Sequence, residues 1–157
     1  MHARIFQLST RPIDNANFLV PAELYENSQS FADYIGSRLE NKERENAIEA
    51  MVNTLSEVFD YDGKNLIYNG CDKFMQDWMN DIKNKAKSLD WSSNTFFTDI
   101  YRLGKLLRES HQESASRFYI EEWNGWAGPA SDLIDFVSKH LKIGDKLYIG
   151  AVIDYHF

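Results

Sequence analysis

The sequence predicts an α+β fold: a two-layer sandwich with an approximately four-stranded, mainly antiparallel sheet and four to five helices. Two observations carry this expectation. Four short runs alternate apolar and polar residues with the period of a half-buried strand, and the segments between them repeat apolar residues with the period of a helix. The chain has 157 residues, which suits one domain (1–157) with an ordinary hydrophobic core.

The first run is Ala3–Ser9, where Ala3, Ile5 and Gln7 share one parity and Arg4, Phe6 and Leu8 the other. Pro12, Asp14, Asn15 and Asn17 interrupt it, and residues 10–30 read as a long connection from which Phe18, Leu19, Val20, Leu24 and Tyr25 fold back on the core. Phe31, Ile35 and Leu39, four apart, suggest a short helical piece over Phe31–Leu39. The clearest helix is Lys42–Phe59. Ile48, Met51, Val52, Leu55, Val58 and Phe59 form its stripe, and the early acids Glu43, Glu45 and Glu49 suit its N-terminal dipole.

Tyr61–Asn65 is a turn, and Asn65–Tyr68 a second strand. A helix then starts at Asp72 and ends near Ser88–Asp90, followed by another over Asn94–Ser110. The short connection makes them antiparallel neighbours. Arg117–Trp123 is the third strand, with Phe118 and Ile120 on one face and Tyr119, Glu121 and Trp123 on the other. Asn124–Pro129 is a loop, with Pro129 placed as the first residue of a helix that turns Leu133, Ile134, Val137 and Leu141 inward. Lys146–His156 is the last strand. Leu147, Ile149, Ala151, Ile153 and Tyr155 are expected on the core side, with Tyr148, Gly150, Val152, Asp154 and His156 opposite.

If the last two strands pair, Tyr119, Glu121, Trp123, Tyr148, Asp154 and His156, with Trp126 at the edge, form an aromatic platform carrying two carboxylates and an imidazole. That is the candidate binding surface. Solvent or the 10–30 connection could cover the same face instead. Trp123 and Trp126 flank a turn, and tryptophan serves equally as an interface anchor or a core plug.

Other patterns point away from specific chemistries. Asp60–Asn65 is acidic, but counting Asp60 as the first position of a calcium loop puts Asp72 at the twelfth and Gly63 at the fourth, so a turn is the better reading. Cys71 is the only cysteine, which excludes an internal disulfide and fits a reducing compartment. It precedes a helix but has no histidine near it in sequence, so a structural role is expected. His2, His111, His140 and His156 show no zinc-type spacing, and Gly125 and Gly128 lack the Lys-Ser/Thr of a phosphate loop. No metal or cofactor is expected.

The net charge is −7. Residues 1–62 hold 11 acids against 5 Lys/Arg, whereas residues 63–111 hold 8 Lys/Arg against 6 acids. Asp81, Asp90, Asp99 and Glu109 interrupt the basic stretch of Lys83, Lys85, Lys87, Arg102, Lys105 and Arg108, so duplex nucleic acid is not an expected partner. The segment Glu121–Ile134 resembles an acidic-aromatic-glycine-proline stretch of antirestriction DNA mimics over under a tenth of the chain, although such mimics are much more acidic than this sequence.

No apolar run is long enough to span a bilayer, and Met1–Phe6 does not open a signal sequence, so a cytoplasmic protein is expected. The expected function is a non-enzymatic binding or adaptor domain, in the style of accessory proteins of bacteria or mobile elements, with a protein partner or self-association. The alternatives are a small hydrolase-like enzyme using Glu121, Asp154 and His156 with Tyr148, and an acidic DNA mimic. A converging pocket would mark the enzyme, a flat aromatic patch the adaptor, and rows of carboxylates the mimic.

Overall fold

The computed structural model describes residues 2–28, 31–88, 96–109, 116–123 and 125–157. It is α+β, but its sheet is larger than expected and is not mainly one antiparallel layer of four. Seven strands form one mixed sheet: β1 (His2–Ser9), β2 (Tyr34–Arg38), β3 (Phe59–Tyr61), β4 (Asn65–Tyr68), β5 (Arg117–Ile120), β6 (Ala127–Gly128) and β7 (Lys146–His156). The α-helices are α1 (Pro21–Ser28), α2 (Asn41–Thr54), α3 (Asp72–Lys87), α4 (Phe96–Glu109) and α5 (Ala130–His140). The strand order is β3-β4-β7-β1-β5-β6. β7 is long enough for one of its edges to serve two neighbours: β4 pairs with Lys146–Tyr148 and β2 with Ile153–His156. β1 lies antiparallel to β7 on the other edge and parallel to β5.

The three added strands, β2, β3 and β6, were hidden by their sequence. Phe31–Leu39 carries a fourfold apolar spacing, yet Tyr34–Arg38 is extended because β7 offers it an open edge and only Ile35 and Leu39 become buried. The helix expected to reach Phe59 stops at Thr54, with Leu55 as its C-cap, and Phe59 opens β3 as the partner of Tyr68. β6 is only two residues long, too short for an alternation pattern. The 10–30 connection contains α1, Pro129 is the N-cap of α5 rather than its first residue, and the third strand ends at Ile120. The expected helix ends at residues 89–90, 94–95 and 110, together with His111 and Asn124, lie outside the described residues.

Both faces of the sheet are buried, which makes three layers instead of two. On one face α2 and α5 cover Phe6, Leu8, Phe118, Ile120, Leu147, Ile149 and Val152 with Ile48, Met51, Leu55, Leu133, Phe136 and Val137. On the other, Leu19 and Leu24 close over Ala3, Ile5, Ile35, Ala127, Ala151, Ile153 and Tyr155, with Phe18, Phe31 and Tyr119 at the margin.

The parity of β7 changes partway along it. Phe6 opposes Val152 and Leu8 opposes Ile149, so Gln7 faces the two residues Gly150 and Ala151. This is a β-bulge, and it reverses which parity faces which layer. Leu147 and Ile149 point to the helices. Beyond the bulge Val152 does so, while Ala151, Ile153 and Tyr155 turn to the other side.

The bulge is held from both faces. Gln7, 2% exposed, uses its whole carboxamide: Oε1 accepts from Ala151 N at 2.8 Å and Leu19 N at 2.9 Å, and Nε2 donates to Asn17 O at 2.9 Å and Glu121 Oε1 at 2.6 Å. From α2, Arg44 Nη2 donates to Ile149 O at 3.2 Å and Gly150 O at 2.8 Å. A Cβ at position 150 would collide with the Gln7 carboxamide, so glycine is needed there.

Candidate functional site

The bulge and the turn after β5 divide the seven residues expected to form one platform. Tyr119 is half-buried against the second core cluster, and burial raises the pKa of its hydroxyl. Glu121 is tied to Gln7 on that same covered side. Trp123 is not with them. The chain turns after Ile120, with Trp123 N donating to Ile120 O at 3.0 Å, and the indole crosses to the helical face. There its ring centroid lies 5.3 Å from Phe136 and 6.2 Å from His140. Trp126 keeps 37% of its surface exposed and shares a narrow crevice with Trp123, Phe118 and Asp132.

Tyr148 precedes the bulge and lines a depression of about 600 Å³ with Thr10, Glu122, His140 and Lys146. Asp154 and His156 follow the bulge and lie on the face of Val152, roughly 20 Å and 26 Å along the strand from Tyr148 at about 3.3 Å per residue. The hydrolase-like set is therefore not assembled: Glu121 and Asp154 are on opposite faces of the sheet.

What the structure does bring together is a cleft of about 720 Å³ between α2 and the first half of β1. Register builds one end of it. His2 opposes His156 and Arg4 opposes Asp154 across the β1–β7 ladder, so all four side chains stand on one face. Arg4 Nη1 donates to Asp154 Oδ1 and, at 3.0 Å, to Ala3 O. His2 Nδ1 lies 3.0 Å from Asp154 Oδ2, and the rings of His2 and His156 meet edge to face at 5.4 Å. Both oxygens of Asp154 are therefore engaged within the chain.

The wall comes from α2. Glu43, Asn46, Ala47, Ala50 and Thr54 recur at helical spacing and line the cleft, one face round from the buried Ile48. Met51 and Leu55 join them at its base with Phe6 and Phe118, whose rings are nearly parallel, at 21° and 5.8 Å. Ser37 and Ser116 add hydroxyls at the rim. The cleft thus has an apolar base, a polar end at Arg4, His2 and Asp154, and further polar groups along its wall and rim.

Of these residues, sequence reasoning singled out only Asp154 and His156 as functional. His2 and Arg4 acquire a role only through pairing with the other end of the chain. Ala47, Ala50 and Thr54 of α2 stand at i, i+3 and i+7 in the sequence, but small residues on a helix do not mark a cleft until a facing element is known.

Other titratable groups are occupied. Cys71 is buried and accepts a 3.4 Å hydrogen bond from Tyr68 Oη, whose own pKa is raised first by burial and then by that contact. Asp62 closes the β3–β4 turn. Lys146 and the backbone N–H groups of Asn65 and Lys64 donate to it and hold its pKa well below the usual range. Burial pushes the Asp132 carboxyl up, helped by Asp135. Among the described residues, no three His, Cys, Asp or Glu side chains form a group that could hold a metal ion, and no helix is long and apolar enough to cross a membrane.

No family model, curated protein or solved structure matches this chain.

Proposed function

We propose that this chain is a non-enzymatic binding domain whose ligand is a small amphipathic molecule held in the cleft between α2 and β1. The observation that carries this reading is the pairing at the end of the cleft. Arg4 and His2 take both oxygens of Asp154, so the carboxylate orients donors and is not left as a base beside a nucleophile. The ligand's apolar part would lie along Ala47, Ala50 and Met51, and its polar end would meet Arg4 and His2.

Titration with the fluorescent probe 1-anilinonaphthalene-8-sulfonate tests the reading. Ala50 is exposed on the wall, and Ala50→Trp would fill the cleft from a helix that tolerates the change. The variant is expected to bind the probe at least about tenfold more weakly, a difference of about 1.4 kcal/mol, with an unchanged far-UV spectrum. Equal affinity in the two proteins would place the probe elsewhere and remove the cleft from consideration.

A further inference from the structure

The donors left over at the polar end of the cleft narrow what can occupy it. The guanidinium of Arg4 offers N–H groups on Nε, Nη1 and Nη2. Nη1 is engaged within the chain, donating to Asp154 Oδ1 and Ala3 O. Among the described residues, no group accepts from Nε or Nη2. The side chain keeps 34% of its surface exposed, and its Nε, unlike those of Arg44 and Arg117, is not sealed from solvent. With Nη1 committed, the open edge is the one on which Nε–H and Nη2–H run parallel. That edge matches the two oxygens of a carboxylate.

Asp154 is not free to turn into this edge itself. His2 Nδ1 lies 3.0 Å from Oδ2, and a carboxylate only accepts, so this nitrogen carries the proton. Gly36 of β2 closes the next side: a Cβ at that position would stand 3.1 Å from Asp154 O and 3.2 Å from Oδ2. The carboxylate is held between two donors and the β2 backbone, and Arg4 matches its charge before any ligand arrives. Glu43 also lines the cleft. It is exposed in the first turn of α2, where it disfavours a second negative charge on a ligand.

The apolar base begins on the same strand. Phe6 is two residues on from Arg4 and on the same face, roughly 7 Å away, and it forms the floor with Phe118, Met51 and Leu55. We propose that the cleft selects amphipathic monocarboxylates. The head takes the Nε/Nη2 edge of Arg4, and the chain lies over Phe6, Met51 and Leu55 beside Ala50. This inference rests on the binding-domain reading above and names its ligand class. A hydroxyl head offers a single oxygen to a paired edge, an ammonium head is repelled by Arg4, and a phosphate head brings further charge toward Glu43.

Isothermal titration calorimetry of the full chain with decanoate, decanol, decylamine and decyl phosphate at neutral pH tests the head, since the four share one alkyl chain. Decanoate is expected to bind at least about tenfold more tightly than each of the others. Arg4→Lys keeps a cation beside Asp154 but has no paired edge. It should weaken decanoate about tenfold and leave decanol within about twofold, which also shows that the variant is folded and the floor intact. Ala50→Trp should weaken decanoate and decanol alike.

Equal binding of decanoate and decanol, tighter binding of decyl phosphate or decylamine, or indifference of decanoate to Arg4→Lys would overturn the carboxylate assignment. If Ala50→Trp still weakened the ligands, the cleft itself would stand. Failure of all four to bind would also overturn the assignment, and the sulfonate-probe titration then decides separately on the cleft. Binding that ignores Ala50→Trp would remove the cleft and this inference with it.

Discussion

The two faces of the sheet are closed by different means. On one, α2 and α5 lay regular apolar stripes over the strands, and the cover is side chain against side chain. On the other, the cover is α1 and irregular chain on either side of it, and among the residues whose burial is described before β2 it brings Leu19 and Leu24 as buried apolar side chains. Irregular chain laid on a sheet must satisfy its own backbone groups. Here one side chain does much of that, since Gln7 bonds Leu19 N, Asn17 O and the free N–H of the bulge together. A helix brings its backbone hydrogen bonds with it, whereas a loop needs a polar residue planted in the core to receive it.

Substitutions on each face can break this comparison. The largest effect is expected on the helical face. Leu55 is 3% exposed beneath α2, and Leu55→Ala should destabilise by about 2–5 kcal/mol in denaturant unfolding, as for a buried leucine elsewhere. A loss below roughly 0.5 kcal/mol would show that α2 does not cover the core as described.

The next effect belongs to the other face. Gln7→Leu keeps the bulk but strands the buried N–H groups of Leu19 and Ala151, at about 2 kcal/mol together when each costs the lower end of the range for a buried group left unpaired. Amide exchange should distinguish the variants. Gln7→Leu should speed exchange at Leu19 and Ala151 more than in the helices, and uniform acceleration would mean that Gln7 is ordinary core.

The smallest effect is one of pH and sharpens the same contrast. Glu122 sits where β1 gives way to the covering segment. Burial alone would raise its pKa, but Ser9 Oγ at 2.7 Å, Thr10 Oγ1 at 2.7 Å and Thr10 N at 2.9 Å all donate to Oε1, and the net shift is downward. A depressed carboxyl contributes stability that is complete above its unfolded value near 4.5 and is lost as pH falls through the lower folded value. Thermal midpoints measured through that window should fall with acid, and Glu122→Gln should flatten the fall. An unchanged slope in the variant would assign the acid sensitivity to other carboxylates, Asp62 first among them.

Local pattern was informative where one residue type dictates its neighbours' conformation. The bounds of β4 and β7, and the start of α3 at Asp72, follow from alternation, turn residues and spacing read directly from the chain. α5 was legible from Leu133, Ile134 and Val137. The candidate site was much less legible. Asp154 and His156 were picked out, but placed on the wrong face with the wrong companions, because alternation states only which residues share a side. It does not say where the count slips.

The sequence by itself determined the α+β class, most helices and the two longest strands, since those depend on periodicities within a few residues. Tertiary structure alone decided the register, the bulge and the cover of the second face. The slip in β7 exists because Gln7, 144 residues away from Ala151, fills the space a Cβ at Gly150 would need and takes the amide that the ladder leaves free. His2 and Arg4 meet Asp154 for the same reason. Pairing between the two ends of a chain is set by which faces bury together, and that quantity is absent from any local window.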